Sequence, residues 1–354
     1  MDFVPTGDLT DMLRRALRSG ASDVILSSGA PPAYRINGQV VPGGDPPLTP
    51  ETSRRLVYGV LRDAQVARFE AELELDFAFS LDGRYRFRGN AFLQRGSVGA
   101  VFRLVPDSIP EIETLNLPPA VEEFALAPQG LVLVTGPAGH GKSTTQAAMI
   151  HRINSRRRAH VITVEDPIEF VHANLLSVIE QREVGQDTKS FAEALRHVLR
   201  EAPDVILIGE MRDPESIACA LSSAETGHLV LATLHTNDSV QAVDRIVDPF
   251  PPAQQGQIRS QVSMALLGVI SQRLLPRADG KGRIPAVEVL RNTTGVSHLI
   301  RDGKTHQIYS IMETHAKEGM RTMDAALKDL YLRGAITYDE AAGRMRNPKM
   351  LDRA

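Results

Sequence analysis

The sequence predicts an α/β protein in which a parallel sheet, covered by helices on both sides, follows a smaller α+β domain. Three observations predict it. Apolar runs at residues 131–134, 161–164, Val205–Ile208 and Leu229–Leu234 alternate with helical stretches. Runs apolar on both faces belong to parallel strands buried from both sides. A proline-rich stretch, VPDSIPEIETLNLPPA (105–120), lies before them and carries no period-2 or period-3.6 pattern. The length of 354 residues suggests two domains at about 150 residues each.

Taken in order, residues 9–19 read as a helix, with Leu9, Met12, Leu13, Ala16 and Leu17 on one face. Strand-like pieces follow at 23–27, Ala33–Ile36, 76–80, 85–90 and 98–104. One helix plus several strands makes a small α+β domain over 1–105, with 106–120 as linker and 121–354 as the larger domain. In that larger domain helices are expected at 143–154 and at 191–201, the latter opened by Ser190 and Glu193 in capping-box spacing. From about Arg291 onward the chain reads mainly helical, for instance through Met323, Ala326, Leu327 and Leu330.

Composition excludes several classes. Forty basic residues stand against 43 acidic ones, a net charge of −3, so the broad positive footprint of a nucleic-acid binder is missing. Tryptophan is absent and aromatics are 5%, which leaves few platforms for stacking single-stranded bases; nucleic acid is not expected as a partner. The one cysteine, Cys219, permits no intrachain disulfide and no cysteine-rich zinc site, and points to the reducing cytoplasm. The opening MDFVPTGDLTDML is acidic where a signal peptide is basic, and no apolar run approaches the roughly 20 residues of a membrane span. A soluble, non-secreted protein is expected.

Gly136-Pro137-Ala138-Gly139-His140-Gly141-Lys142-Ser143 fits the pattern G-x-x-x-x-G-K-[ST]. A match arises by chance in roughly one chain in a hundred of this length. Here an apolar run ends just before it and a helical stretch follows. Glycines let the backbone wrap around oxygens, and the N–H groups of the loop and the helix start, through Thr144, then face phosphates. Lys142 is expected to reach the β- and γ-phosphates of a nucleoside triphosphate, and the Ser143 hydroxyl to ligate Mg²⁺.

Ligands of doubly wound sheets lie beyond the carboxyl ends of the strands. The residues that follow the other runs are Glu165 and Asp166, then Gly209 and Glu210, then His235. Phosphoryl transfer needs a group for the metal, a base or orienter for the attacking water and a reader of the γ-phosphate. Glu210 is the candidate for polarising water; Glu165 and Asp166 share metal and water positioning, partly through water; His235 lies at the nucleotide edge. His228 and His235 cannot hold one metal if the run is a single strand, because about 23 Å and opposite faces separate them.

Arg84, Arg86 and Arg88 alternate with Tyr85 and Phe87, so a strand would place the three guanidinium groups on one face, with Arg103 on the next strand. They form either a solvated basic face or, for Arg88 and Arg103, a pair that approaches the γ-phosphate held by another subunit. Arg156, Arg157 and Arg158 read as an exposed helix end.

With these residues assembled, the chain resembles the PilT-like retraction ATPases of type IV pili, within the family of secretion and pilus motor ATPases. GASDVILSSGAPPAYRINGQV (20–40) is similar to the opening of that family's PAS-like N-terminal domain, and 136–143 to its Walker A motif. ITVEDPIEF (162–170) resembles its Asp box, LREAPDVILIGEMRDPESI (199–217) its Walker B region, and ETGHLVLATLHT (225–236) its His box. VDRIVDPFP (243–251) and GMRTMDAAL (319–327) also match. The resemblance implies a RecA-like P-loop ATPase domain behind a PAS-like domain, a catalytic glutamate at Glu210, and Mg²⁺. It also implies a cytoplasmic homohexamer with ATP between subunits, facing Arg88 and Arg103. Such a ring works at the inner face of the cytoplasmic membrane on an inner-membrane platform protein and the pilus machinery, associating with the membrane only through partners.

The chain departs from the family pattern at Ala138 and His140 of the loop, at Ile25, at Gly89, and in GVSHLIRD (295–302), which stands where the family has AIRNLIRE. Other readings are an accessory paralogue of the retraction motor, a motor for pilus assembly or type II secretion, a RecA-like translocase, or a regulator that binds nucleotide without hydrolysis. Assembly and secretion motors usually carry a four-cysteine zinc motif and a longer N-terminal region; the single Cys219 and short N-terminal domain argue against them.

Overall fold

The computed structural model describes residues 7–351 apart from 37, 83, 84 and 107, with side chains from residue 9. They fall into two units, Met1–Ser108 and Ile109–Ala354.

The first unit runs α1 (Gly7–Ser19), β1 (Asp23–Leu26), β2 (Ala33–Ile36), β3 (Gln39–Pro42), α2 (Pro50–Tyr58), α3 (Asp63–Glu72), β4 (Glu74–Leu81), β5 (Tyr85–Gln94) and β6 (Ser97–Leu104). Its antiparallel sheet has the order β3-β2-β1-β6-β5-β4. The expected stripe Leu9, Met12, Leu13 and Ala16 is buried, with Leu17 packed at its margin. The single-helix expectation is corrected, since α2 and α3 are also present. Thr49 caps α2 by accepting from Thr52 N–H at 3.1 Å, and Pro50 opens it, both ordinary start signals. Helix α3 buries only Phe69, too little for a 3.6-residue pattern, and β3 is exposed along its whole length. Gly89 has a packing reason: a Cβ there would lie 2.4 Å from the Phe77 ring, which stacks on Phe79 and meets Phe102 edge-on.

The second unit begins with α4 (Ala120–Ala125), β7 (Gly130–Thr135), α5 (Lys142–Arg156), β8 (His160–Glu165), β9 (Val178–Glu183), α6 (Phe191–Val198), β10 (Val205–Ile208), α7 (Pro214–Glu225) and β11 (Leu229–Leu234). It continues with α8 (Ser239–Val247), α9 (Pro252–Ala265), β12 (Leu266–Pro276), β13 (Arg283–Arg291), α10 (Thr294–Arg301), α11 (Ile308–Thr314), α12 (Met323–Leu332) and α13 (Tyr338–Ala342). The sheet has the order β13-β12-β7-β11-β10-β8-β9, parallel except for the β12–β13 pair. Successive residues serve opposite faces. Leu131 and Leu133 join the core formed with helices α6 to α11, whereas Val132 and Val134 join the core under α4 and α5. That double burial is the physical content of the apolar runs. At the far end of β12 and β13, Leu275 and Ile284 pack with Met323, Leu327 and Leu330.

The stretch 109–119 carries no helix or strand but is held on the second unit. Ile112 is buried with Val121 and Phe124, and the buried Arg152 guanidinium on α5 donates to Glu122 at 2.7 Å and to Glu113. The expected arginine-rich helix end is exposed at Arg156 and Arg158, while Arg157 turns in to donate to the Ala127 carbonyl at 2.9 Å.

Candidate active site

The loop between β7 and α5 is shaped by glycines. Gly136, Gly139 and Gly141 have φ of +141°, +75° and +85°. At Gly136 no side chain fits, because a Cβ would approach the Gln272 carbonyl oxygen to 2.3 Å. Strand β12 supports the loop from below: Thr145 Oγ1 donates to Gln272 Oε1 at 2.7 Å, and Gln272 Nε2 donates to the His140 carbonyl at 2.6 Å. Leu274 N–H donates to His140 Nδ1 at 3.0 Å, and Arg283 donates to the Gly139 carbonyl at 3.2 Å. The first N–H groups of α5 have no intrahelical acceptor, so the positive end of the helix meets the loop. Lys142 Nζ donates to the carbonyls of Gly136 at 2.9 Å and Pro137 at 3.0 Å. Burial pushes the Lys142 amine below its ordinary range, and the charges of Glu210 and Glu169 oppose that shift.

Adjacent parallel strands deliver the remaining groups. Glu165 ends β8, and its Oε1 accepts from Thr163 Oγ1 at 2.6 Å and Gln181 Nε2 at 3.1 Å. Burial pushes its carboxyl up, with both hydrogen bonds working the other way. Glu210 lies two residues beyond β10. Its Oε2 accepts from Arg212 at 2.6 Å and its Oε1 lies 3.4 Å from His235 Nε2, which follows β11 directly. Burial works to raise the Glu210 carboxyl, but the Arg212 hydrogen bond and the charges of His235, Arg212 and Lys142 outweigh it and hold the group below the usual range. At the opposite end of β11, His228 Nδ1 lies 2.9 Å from the Ser223 carbonyl, a bond at the end of α7.

These groups line one cleft of about 380 Å³. Ala138, Gly139, Gly141, Lys142, Ser143 and Thr144 form one wall, and Glu165, Asp166, Glu210 and His235 form another. Gly136, Pro137 and His140 stand behind, as acceptors for Lys142, Gln272 and Leu274. The structure adds Glu169, His172, Phe191 and Arg283 to the lining. Burial, with the charge of His151, pushes the His172 imidazole down to about 4. Of these four, none follows an apolar run in the sequence. Among the described residues no cluster of three or more His, Cys, Asp or Glu side chains could cage a metal. One hydroxyl, Ser143, with Glu165 and Asp166 nearby, suits Mg²⁺, which takes few protein oxygens and keeps waters and phosphate oxygens.

Arg88 and Arg103 belong to the first unit. They face each other across β5 and β6, and Asp23 and then Arg35 continue the same row across β1 and β2. Asp23 is 3% exposed and accepts from Arg103 Nε at 2.8 Å while pairing with Arg35 at 3.3 Å. Arg84 lies outside the described residues.

Residues 6–326 match the family described as type II/IV secretion system protein. The chain is 44% identical to the type IV pilus retraction ATPase PilT of Pseudomonas aeruginosa over 97% of its own length and 99% of that protein's. It is also 44% identical to the type IV pilus ATPase PilU of the same organism, over 93% of this chain and 86% of that one. The crystal structure of the pilus retraction motor PilT with bound ADP superposes with a TM-score of 0.91 at 48% identity, covering 98% of this chain and 99% of that one.

Proposed function

The chain belongs to the type II/IV secretion system protein family, and from that membership we propose that it is a hexameric motor ATPase whose hydrolysis of ATP powers retraction of a type IV pilus. One observation carries this reading: the cleft that unites Lys142, Ser143, Glu165 and Glu210 lies in a chain matched end to end by a retraction ATPase. The enzyme is a RecA-like P-loop ATPase with an α+β N-terminal domain, read as PAS-like.

In the proposed mechanism the loop 136–143 and the start of α5 bind the triphosphate, and Lys142 exchanges its two carbonyl acceptors for phosphate oxygens. Ser143 would hold Mg²⁺ directly, with Glu165 and Asp166 acting partly through water; when bound, the ion neutralises charge on the β- and γ-phosphates. Glu210, kept ionised by Arg212, accepts the proton of the water that attacks the γ-phosphorus, as the bond to the β-phosphate oxygen breaks to give ADP and phosphate. Glu165 orients that water, itself oriented by Thr163 and Gln181. His235 reads the γ-phosphate from beside Glu210. Arg88 and Arg103 come from a neighbouring subunit and neutralise charge developing in the transfer.

The ring acts in the cytoplasm at the inner face of the membrane, with a platform protein and the pilus machinery as partners. Attachment is read as running through those partners, a reading compatible with the finding that no helix among the described residues is long and apolar enough to cross a membrane. A second reading, an accessory paralogue that works beside a main motor, is favoured by residues 295–302. There Ser297 occupies the place of an arginine and donates to the Ser263 carbonyl at 2.8 Å. Deleting the gene is expected to abolish twitching and leave surface pili in excess; normal twitching overturns the proposal. Expression of this chain alone in a strain lacking every retraction motor separates the two readings, because only a main motor restores twitching.

A further inference from the structure

Strand β12 outruns its partner. It pairs with β7 up to Ser271 opposite Thr135, where β7 ends and the phosphate loop begins, yet it continues to Pro276. Along that overhang the edge away from β13 has no strand to bond among the described residues, and an edge N–H without an acceptor is costly. The loop supplies the acceptor. His140 Nδ1 receives Leu274 N–H at 3.0 Å, so an imidazole stands where a strand carbonyl belongs. A backbone N–H can only donate, so this ring nitrogen carries no proton.

We infer that His140 is a positioning residue of the phosphate loop, whose unprotonated Nδ1 docks the loop on the overhang of β12 and holds it in its phosphate-binding shape. The inference rests on the ATP-binding reading of the cleft and goes beyond it. The dock has a second bond through the same residue, Gln272 Nε2 to the His140 carbonyl at 2.6 Å, and a flanking one from Arg283 to Gly139. The surroundings keep the ring neutral. Burial pushes it below the ordinary histidine range, and the cations that face it are Arg283 of β13, Lys142 of α5, Arg273 of β12 and Arg344 beyond α13. Protonation at Nδ1 would turn the acceptor into a donor aimed at another donor.

The test uses the full chain with Mg²⁺ and a fluorescent ATP analogue. His140→Leu removes the acceptor and leaves Leu274 N–H unpaired, so Kd and KM for ATP rise about tenfold with a smaller change in kcat. His140→Asn places an amide oxygen near the position of Nδ1 and recovers most of that loss. In the parent KM climbs as pH falls below the ordinary histidine range, and in His140→Asn this climb flattens. Parental Kd and pH profile in His140→Leu overturn the inference, as does a failure of His140→Asn to recover any binding while the variant remains folded by circular dichroism. Absence of binding in the parent, with Lys142→Ala as control, overturns the ATP reading instead.

Discussion

The Glu210 carboxylate lies 3.4 Å from Nε2 of His235, each just past the end of one of two neighbouring parallel strands. The two side chains meet because β10 and β11 run parallel in register, Ile208 opposite Ala232, and β11 runs on two residues to Leu234, level with Glu210, which brings the proposed base and the proposed reader of the γ-phosphate to one edge. Glu210→Gln keeps the shape and removes the proton acceptor. Phosphate release is expected to drop about a hundredfold or more, with ATP binding retained. An unchanged rate in a phosphate-release assay would show that another group accepts the proton.

Arg212 sets where Glu210 titrates. Its guanidinium donates at 2.6 Å and is the largest of the influences that lower the carboxyl against the upward push of burial. A base works ionised, so with Glu210 as the proposed base the acid limb of the kcat profile in the parent is expected below the usual carboxylate range. In Arg212→Ala that limb moves to higher pH. A limb that stays in place separates Arg212 from the titration of the base.

Gly136 makes the loop possible at one point in space. Gly136→Ala forces a Cβ against the Gln272 carbonyl in a backbone region with φ of +141°. The expected cost is about 1–3 kcal/mol, seen as a lower thermal midpoint, together with loss of ATP binding. Equilibrium binding and a thermal scan on the same sample check both.

Glu288 holds two helix starts together inside the second unit. It is 1% exposed and accepts from Ser239 N–H at 2.7 Å, Ser239 Oγ at 2.6 Å and Met323 N–H at 3.0 Å. Glu288→Ala leaves those donors unpaired and is expected to cost about 2–4 kcal/mol in urea unfolding. Burial raises the Glu288 carboxyl, so its folded value lies above the unfolded one. Its contribution is complete below the unfolded value and is lost as pH rises through the folded one. Glu288→Gln removes that part of the pH dependence; an unaltered curve rules Glu288 out as its source.

What could be read ahead of the structure follows burial. Strands β7, β8, β10 and β11 are apolar on both faces, and residues at or beyond their carboxyl ends, Lys142, Ser143, Glu165, Asp166, Glu210 and His235, line the cleft. Strand β3 is fully exposed and β9 is a polar edge, so neither has a periodic signal. Strand β12 hides behind Gln272 and Arg273, polar residues inside an apolar segment, because Gln272 there serves the phosphate loop while Leu275 returns to the core. Gln181, His172 and Arg283 reach the site through strand pairing and loop return, which no local spacing encodes.

Strand β12 has a mechanical consequence. Nine of its 11 residues are laced to β13, from Gly268 opposite Arg291 to Pro276 opposite Arg283, so the segment resists local bending. Gln272 and Leu274 touch the phosphate loop, while Leu275, the next residue, is wedged among Met323, Leu327 and Leu330. The strand is therefore a stiff push-rod with its two bearings one residue apart. Contacts with the phosphate loop and with the C-terminal helices share one short rigid segment, and Leu275→Gly would remove the second set while leaving the first.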